Sequence, residues 1–145
     1  MFGGVSSLLL DSKGRLAIPA KHRDALLVRA QGRLIVTADP AGCLLVYPEP
    51  EWIPVRDKLN TLSGAQMPIR RFIVGQAEEV EMDASGRILV PPSLRQRAQL
   101  DKAVALVGMG NKFELWDDAK WNATTDAVMA MDPHELENNM QGIVL

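Results

Sequence analysis

The chain has 145 residues, 47% hydrophobic and 23% charged, with a formal net charge of −2. That length predicts one domain, hiding roughly 68–70% of the surface its unfolded chain exposes. No apolar run approaches the roughly 18 residues that suggest a membrane span, and MFGGVSSLLLD lacks the basic segment and cleavage site of a signal peptide. The single Cys43 excludes an intrachain disulfide and suits a reducing, cytoplasmic compartment. One cysteine with only His22 and His134 is too few for a structural zinc site.

The first segment, LLLDSKGRLAI, predicts a hairpin in which Asp11, Ser12, Lys13 and Gly14 form a type I turn. Glycine accepts the positive φ required there, and the Asp carboxylate can bond backbone N–H groups two residues on. Pro19 then ends the return strand, because proline cannot donate to a central ladder. RLIVTAD and CLLVYPE read as a second hairpin about an AGC turn. PEPEWIPVRDKLNTL follows as a helix with Trp52, Val55, Leu59 and Leu62 at helical spacing and Pro54 in its first turn.

MPIRRFIVGQA predicts a linking helix with Ile69, Phe72 and Ile73 buried. The second half then restates the first. Asp11, Gly14, Arg15, Pro19 and Arg23 recur as Asp83, Gly86, Arg87, Pro91 and Arg95, all at an offset of 72. Past the motif, LLVYPEPEW matches FELWDDAKW at an offset of 69. Within the second copy, EEVEMD alternates as a half-buried strand does, and ILV is a short run of β-formers. KAVALVGMG and KFELWDD form its second hairpin. WNATTDAVMAM is expected to be a helix with Trp121, Thr125, Val128 and Met129 on a core stripe. The end, DPHELENNMQGIVL, reads as a loose tail or a subunit contact.

Two copies are too few for a solenoid, so the expected fold is mainly β with short helices, an α+β domain of two pseudo-symmetric units. The boundaries are repeat one over about 3–62, the linking helix over about 66–76, repeat two over about 77–131 and the tail over 132–145.

Charge is unevenly distributed. Residues 1–72 hold ten Lys/Arg against six Asp/Glu, a net of +4, whereas residues 73–145 hold six against twelve, a net of −6. Lys13, Arg15, Lys21, Arg23, Arg29 and Arg33 face only Asp11 and Asp24 before residue 34. A local basic surface is what a polyanion feels, whatever the total; the other reading is a solvated face.

Turn geometry explains the Asp and Gly of each motif and leaves Arg15 and Arg87 unexplained. One reading is an ion pair back to Asp11 or Asp83, worth about 0–1 kcal/mol when exposed. The other is a guanidinium presented for recognition. Arginine matches guanine bidentately in the major groove, which admits a two-stranded ribbon, and Lys13 would add a phosphate contact. Arg23 and Arg95 fit structural ion pairs better than DNA contacts.

These residues resemble the MraZ family of bacterial transcriptional regulators, within the AbrB-like swapped-hairpin group. MFGG before LLLDSKGR, the Pro-Glu-Trp helix start and the second DASGRILVP carry the resemblance over Met1 to about Met131. It implies swapped-hairpin β units forming an intramolecular double barrel-like domain, and subunits assembled into a ring. It also implies binding to short direct repeats of double-stranded DNA upstream of the division and cell-wall gene cluster that includes the protein's own gene. Asp11, Lys13, Arg15, Asp83 and Arg87 stand at the family's DNA-binding positions. A ring would reconcile an acidic total with DNA binding, since weak tips on successive repeats gain from effective concentration. Because Lys13 and Lys21 become Ser85 and Ser93, and Glu78, Glu79 and Glu81 crowd the second hairpin, the first copy is the expected stronger contact.

An aspartic-protease dyad is disfavoured, because that chemistry resembles Asp-Thr-Gly or Asp-Ser-Gly, with glycine two residues after Asp rather than three. No phosphate loop, Gly-x-Ser-x-Gly or metal cluster stands in the chain, so no catalytic residue, metal, cofactor or small-molecule substrate is expected, and no membrane partner. The expected location is the cytoplasm, with nucleoid association. The competing reading is a ring-forming protein-interaction or antitoxin-like module without specific DNA reading.

Overall fold

The computed structural model describes Met1–Leu145 and is mainly β with short helices, an α+β fold. In the first half, β1 (Val5–Leu9) and β2 (Arg15–Ala17) flank the first turn. They are followed by α1 (Ala20–Ala30), β3 (Arg33–Ala38), β4 (Leu44–Pro48) and α2 (Glu49–Leu59). A 3₁₀ turn at Gly64–Gln66 leads into α3 (Met67–Ile73), which connects the halves. The second half runs β5 (Glu78–Glu81), β6 (Arg87–Leu89), α4 (Pro92–Arg97), β7 (Ala103–Gly108), β8 (Phe113–Asp117) and α5 (Asp118–Met129). The chain ends with α6 (Pro133–Met140).

The strands that leave each repeated turn do not pair with each other. β1 pairs antiparallel with β7, Val5 opposite Val107, and β5 pairs with β3, Arg33 opposite Glu81. β2 and β6 pair across the halves as a separate two-stranded ribbon. The expected hairpins are therefore closed only at their turns, and their arms are exchanged. Six strands form one open sheet in the order β1-β7-β8-β4-β3-β5, and the second hairpin of each half, β3–β4 and β7–β8, pairs locally as expected.

One apolar core joins the two halves, with Leu16, Ile18, Leu34, Val36, Ile88, Val90, Leu106, Phe113 and Leu115 excluded from solvent. Burying each such side chain stabilises by about 1.5–3 kcal/mol. The ribbon register pairs Leu16 with Ile88 at its centre. Leu16 and Ile88 are also equivalent positions at the repeat offset of 72, so the pseudo-twofold axis passes through this buried pair.

Several local expectations differ. Pro19 and Pro91 do end their strands, but each also caps a helix, α1 or α4, where a plain proline turn is expected. Pro54 lies in the second turn of α2, so the Pro50 carbonyl gains no i→i+4 partner. Trp52 is buried against Tyr47, with Val55 and Leu59 packed on the same cluster. In the linking segment Phe72 and Ile73 are half-buried, whereas Ile69 is 50% exposed because α3 turns it away from both clusters. On α5, Trp121 packs against Trp116 and Thr125 is half-buried, whereas Val128 and Met129 are 47% and 86% exposed, so the expected core stripe does not extend to the end of the helix. The end of the chain, for which a loose tail or a subunit contact is expected, carries the helix α6 over Pro133–Met140, with the Asp132 carboxylate accepting from the His134 N–H at 3.1 Å.

Candidate nucleic-acid interface

Each repeated turn is built by its aspartate. Asp11 Oδ1 accepts the backbone N–H groups of Lys13 at 2.9 Å and Arg15 at 2.8 Å, and the Gly14 N–H closes the turn on the Asp11 carbonyl at 2.9 Å. Asp83 does the same, taking Ser85 at 2.8 Å and Arg87 at 2.9 Å, with the Gly86 N–H on its carbonyl at 2.9 Å. Gly14 and Gly86 have φ of 81° and 76°, the left-handed region where a side chain is strained.

The second carboxylate oxygen holds the arginine. Asp11 Oδ2 accepts Arg15 Nε at 2.6 Å, and Asp83 Oδ2 accepts Arg87 Nε at 3.2 Å. The ion pairs therefore form, yet they engage only Nε, and neither pair of Nη groups has a partner within the chain. The two readings of these arginines are thus compatible: one face of the guanidinium is fixed and its outer edge remains available.

Electrostatics follow the hydrogen bonds. Backbone donation by Arg15, aided by its side chain and by Lys13, lowers the Asp11 pKa to about 2 from the ordinary 3.8. Backbone donation by Arg87 lowers that of Asp83. Both carboxylates stay ionised over any ordinary pH, so the arginines remain held.

The ribbon brings the two sites together. Leu16 and Ile88 point inward, which puts Arg15, Ala17, Arg87 and Leu89 on the outward face. Arg15 lies opposite Leu89, and Ala17 opposite Arg87. Two residues along a strand and one strand across separate the arginine Cα atoms by roughly 8 Å. Lys13 is exposed in the first turn, where Ser85 occupies the second. Of the five residues singled out in the sequence, Asp11, Lys13 and Asp83 lie in the two turns and Arg15 and Arg87 begin the strands that leave them, with the turns at opposite ends of the short ribbon.

The turns also touch the opposite halves. The Ile18 N–H donates to the Gly86 carbonyl at 2.9 Å, and the Val90 N–H to the Gly14 carbonyl at 3.1 Å. Arg23 and Arg95 have no carboxylate partner, contrary to the ion pairs expected for them. Arg23 Nε donates to the Ile18 carbonyl at 2.6 Å, and Arg95 Nε to the Val90 carbonyl at 3.0 Å. A cavity of about 380 Å³ lies beside the first turn, lined by Asp11, Gly14, Arg95, Leu100 and Lys102 among others.

A second cluster of polar groups lies away from the turns. Asp39, Cys43 and Glu114 bring their ligand-type atoms within 4.8 Å of one another. Burial first, then the neighbouring carboxylates, pushes the Cys43 thiol up to about 12. Asp39 is occupied by the Ala41 N–H and Glu114 by the Trp116 indole N–H, so these groups have structural work in the adjoining turn and strand.

Comparison with known proteins agrees with the internal repeat. The family model described as "MraZ protein, putative antitoxin-like" matches twice, over residues 1–72 and 73–143. Three similar proteins, each named transcriptional regulator MraZ, align over nearly the whole chain. That of Nitrosospira multiformis is 53% identical over 143 residues, covering 94% of this chain and 97% of its own. Those of Nitrosomonas europaea and Thiobacillus denitrificans are 49% and 47% identical over the full length of both chains.

Proposed function

The chain belongs to the MraZ family, and from that premise we propose that it is a transcriptional regulator that reads double-stranded DNA through its paired Asp-x-x-x-Arg turns. The observation that carries this reading is the common outward face of Arg15 and Arg87, each fixed through Nε with its Nη groups unpartnered. An arginine so held has lost most of its rotamer freedom and still offers the edge that pairs with guanine O6 and N7. A Cα separation of roughly 8 Å spans two to three base steps at 3.4 Å each. The ribbon that carries them is narrow enough for the major groove, and Lys13 adds a phosphate contact at the first turn.

Asp11 and Asp83 orient the arginines; Lys13 makes the first copy the stronger contact. The target is a set of short direct repeats upstream of the division and cell-wall gene cluster, including the protein's own gene, as the family resemblance implies. Assembly of the single pseudo-twofold unit into a ring supplies several turns to successive repeats. It raises avidity without requiring a basic total charge. No helix is long and apolar enough to cross a membrane. A regulator acting on DNA in this way works in the cytoplasm, at the nucleoid.

The test is fluorescence anisotropy of the whole protein on its own upstream DNA and on a shuffled duplex, at two salt concentrations, beside Arg15→Ala and Arg87→Ala. The expected outcome is a preference for the native sequence that weakens with salt and collapses in Arg15→Ala. An absence of preference in correctly assembled protein would sink the DNA reading. It would favour the protein-interaction module suggested by the antitoxin-like description of the family model.

A further inference from the structure

Each reading turn is walled by an arginine from the other half. A Cβ built on Gly14 would collide with the guanidinium of Arg95, and one built on Gly86 with the guanidinium of Arg23. Each guanidinium is itself anchored at the end of its own return strand, Arg95 on the Val90 carbonyl and Arg23 on the Ile18 carbonyl. Those same end residues donate their N–H groups across the axis, Val90 to Gly14 and Ile18 to Gly86. The result is a reciprocal clasp: the carbonyl of Val90 holds Arg95 while its N–H holds the Gly14 carbonyl, and Arg95 closes over the glycine. The Ile18–Arg23–Gly86 set repeats this at the other turn.

Resting on the DNA-reading function above, we propose that Arg95 and Arg23 are positioning residues, each holding the reading turn of the opposite half in the geometry that presents its arginine. Glycine is then required at 14 and 86 for two reasons. It accepts the positive φ, and it leaves room for a guanidinium where any side chain would stand. Neither carboxylates nor DNA need contact Arg23 or Arg95 for this role. The arrangement also makes the two copies interdependent. The turn carrying Lys13 and Arg15 is supported by α4 of the second half, and the turn carrying Arg87 by α1 of the first.

The clasp is tested by hydrogen exchange of the whole protein, read by mass spectrometry in peptides covering residues 11–16 and 83–88. The N–H groups of Lys13, Gly14 and Arg15 are bonded inside the first turn, and those of Ser85, Gly86 and Arg87 inside the second. Loosening a turn therefore exposes them to exchange. Arg95→Ala is expected to speed exchange about fivefold or more in 11–16 with 83–88 little changed, and Arg23→Ala to do the reverse. Arg95→Lys keeps the charge but lacks the planar fork, and is expected to behave like Arg95→Ala. Should Arg95→Ala lose its fold, Arg95→Lys carries the same comparison.

A second readout separates positioning from direct contact. Losing one phosphate contact lowers the slope of log affinity against log salt by about 1. Arg95→Ala is expected to weaken binding to the native sequence about tenfold with that slope unchanged. A reduced slope, full rescue by lysine, or faster exchange in the substituted residue's own half would overturn the clasp. Loss of DNA preference in the wild-type protein would instead refute the DNA reading, and the exchange pattern would still decide the clasp.

Discussion

Asp11 holds Arg15 at two levels at once: Oδ1 takes its backbone N–H at 2.8 Å, and Oδ2 takes its Nε at 2.6 Å. The same carboxylate thus shapes the turn and aims the side chain that leaves it. Asn at this position separates the two jobs. Its carbonyl oxygen can still accept the Lys13 and Arg15 N–H groups, but its amide donor faces Arg15 Nε, also a donor. Asp11→Asn should retain the fold while its preference for native over shuffled DNA falls about tenfold. Asp11→Ala should lose both turn protection and preference. Anisotropy paired with hydrogen exchange of residues 11–16 checks the separation.

The turns also set an acid limit. The Asp11 pKa is about 2 in the folded chain against an ordinary 3.8, so its contribution is fully present above 3.8 and is lost as pH falls through about 2. Asp83 is lowered too, with backbone donation by Arg87 as the main cause, so its contribution is lost in the same direction. Thermal stability should therefore be flat with respect to these groups above about pH 5 and decline as pH falls below about 4. In Asp11→Asn the acid limb should be shallower. A wild-type limb unchanged by that substitution would show that other carboxylates govern it.

The turns, the second hairpins and the Trp-led helices were legible because each depends on neighbours in sequence. An Asp three residues before a Gly specifies its own turn, and Trp52, Val55 and Leu59 mark a face at helical spacing. Strand exchange was not legible from periodicity. A period of two says that Leu8 and Leu10 face one way, but not that the partner of Leu8 is Val104 rather than a residue across the turn. Pro19 as a strand stop does not by itself announce the α1 helix that follows it. The signal lay just beyond it, where His22, Leu26 and Ala30 recur every fourth residue and are all buried. Conversely, Val128 and Met129 have core chemistry on α5 but stand exposed, because spacing along a helix does not say how far along it a packing partner runs. The cross-half role of Arg95 depends on a glycine 81 positions earlier, and no local pattern encodes it.

Phe113 offers a test of how firmly the N-terminus is locked to the second half. It is fully buried, with the Phe2 ring 4.3 Å away and the His22 ring at 5.0 Å. Phe2 also exchanges two backbone hydrogen bonds with Gly110, at 2.7 and 2.9 Å. Phe113→Ala should cost about 3–5 kcal/mol in urea unfolding, because the rings around it cannot collapse into the space. It should also speed exchange at residues 2–5, whereas a purely local effect would leave that segment protected.

Cys43 should be inert in the folded protein. With its pKa pushed up to about 12, only about one thiol in ten thousand is ionised at pH 8, and the side chain is almost wholly excluded from solvent. A thiol-specific disulfide reagent is expected to react at the rate of unfolding, independent of reagent concentration once that is high. Rapid labelling of native protein would show that the Asp39–Cys43 turn opens on its own.

The inequality of the two turns yields a final prediction, because a single side chain carries most of it. Lys13 and Ser85 occupy equivalent exposed positions, and both donate their backbone N–H to the aspartate two residues before. Exchanging the side chains therefore leaves the turns themselves unchanged. Lys13→Ser should lower the salt slope of DNA binding by about 1, the mark of one lost phosphate contact, with little change in stability. Ser85→Lys on that background should restore less than the full slope. Glu78, Glu79 and Glu81 lie exposed on the strand entering the second turn and lower the local potential that a phosphate meets. Complete restoration would mean that the two turns meet DNA equivalently and that the acidic strand faces away from it.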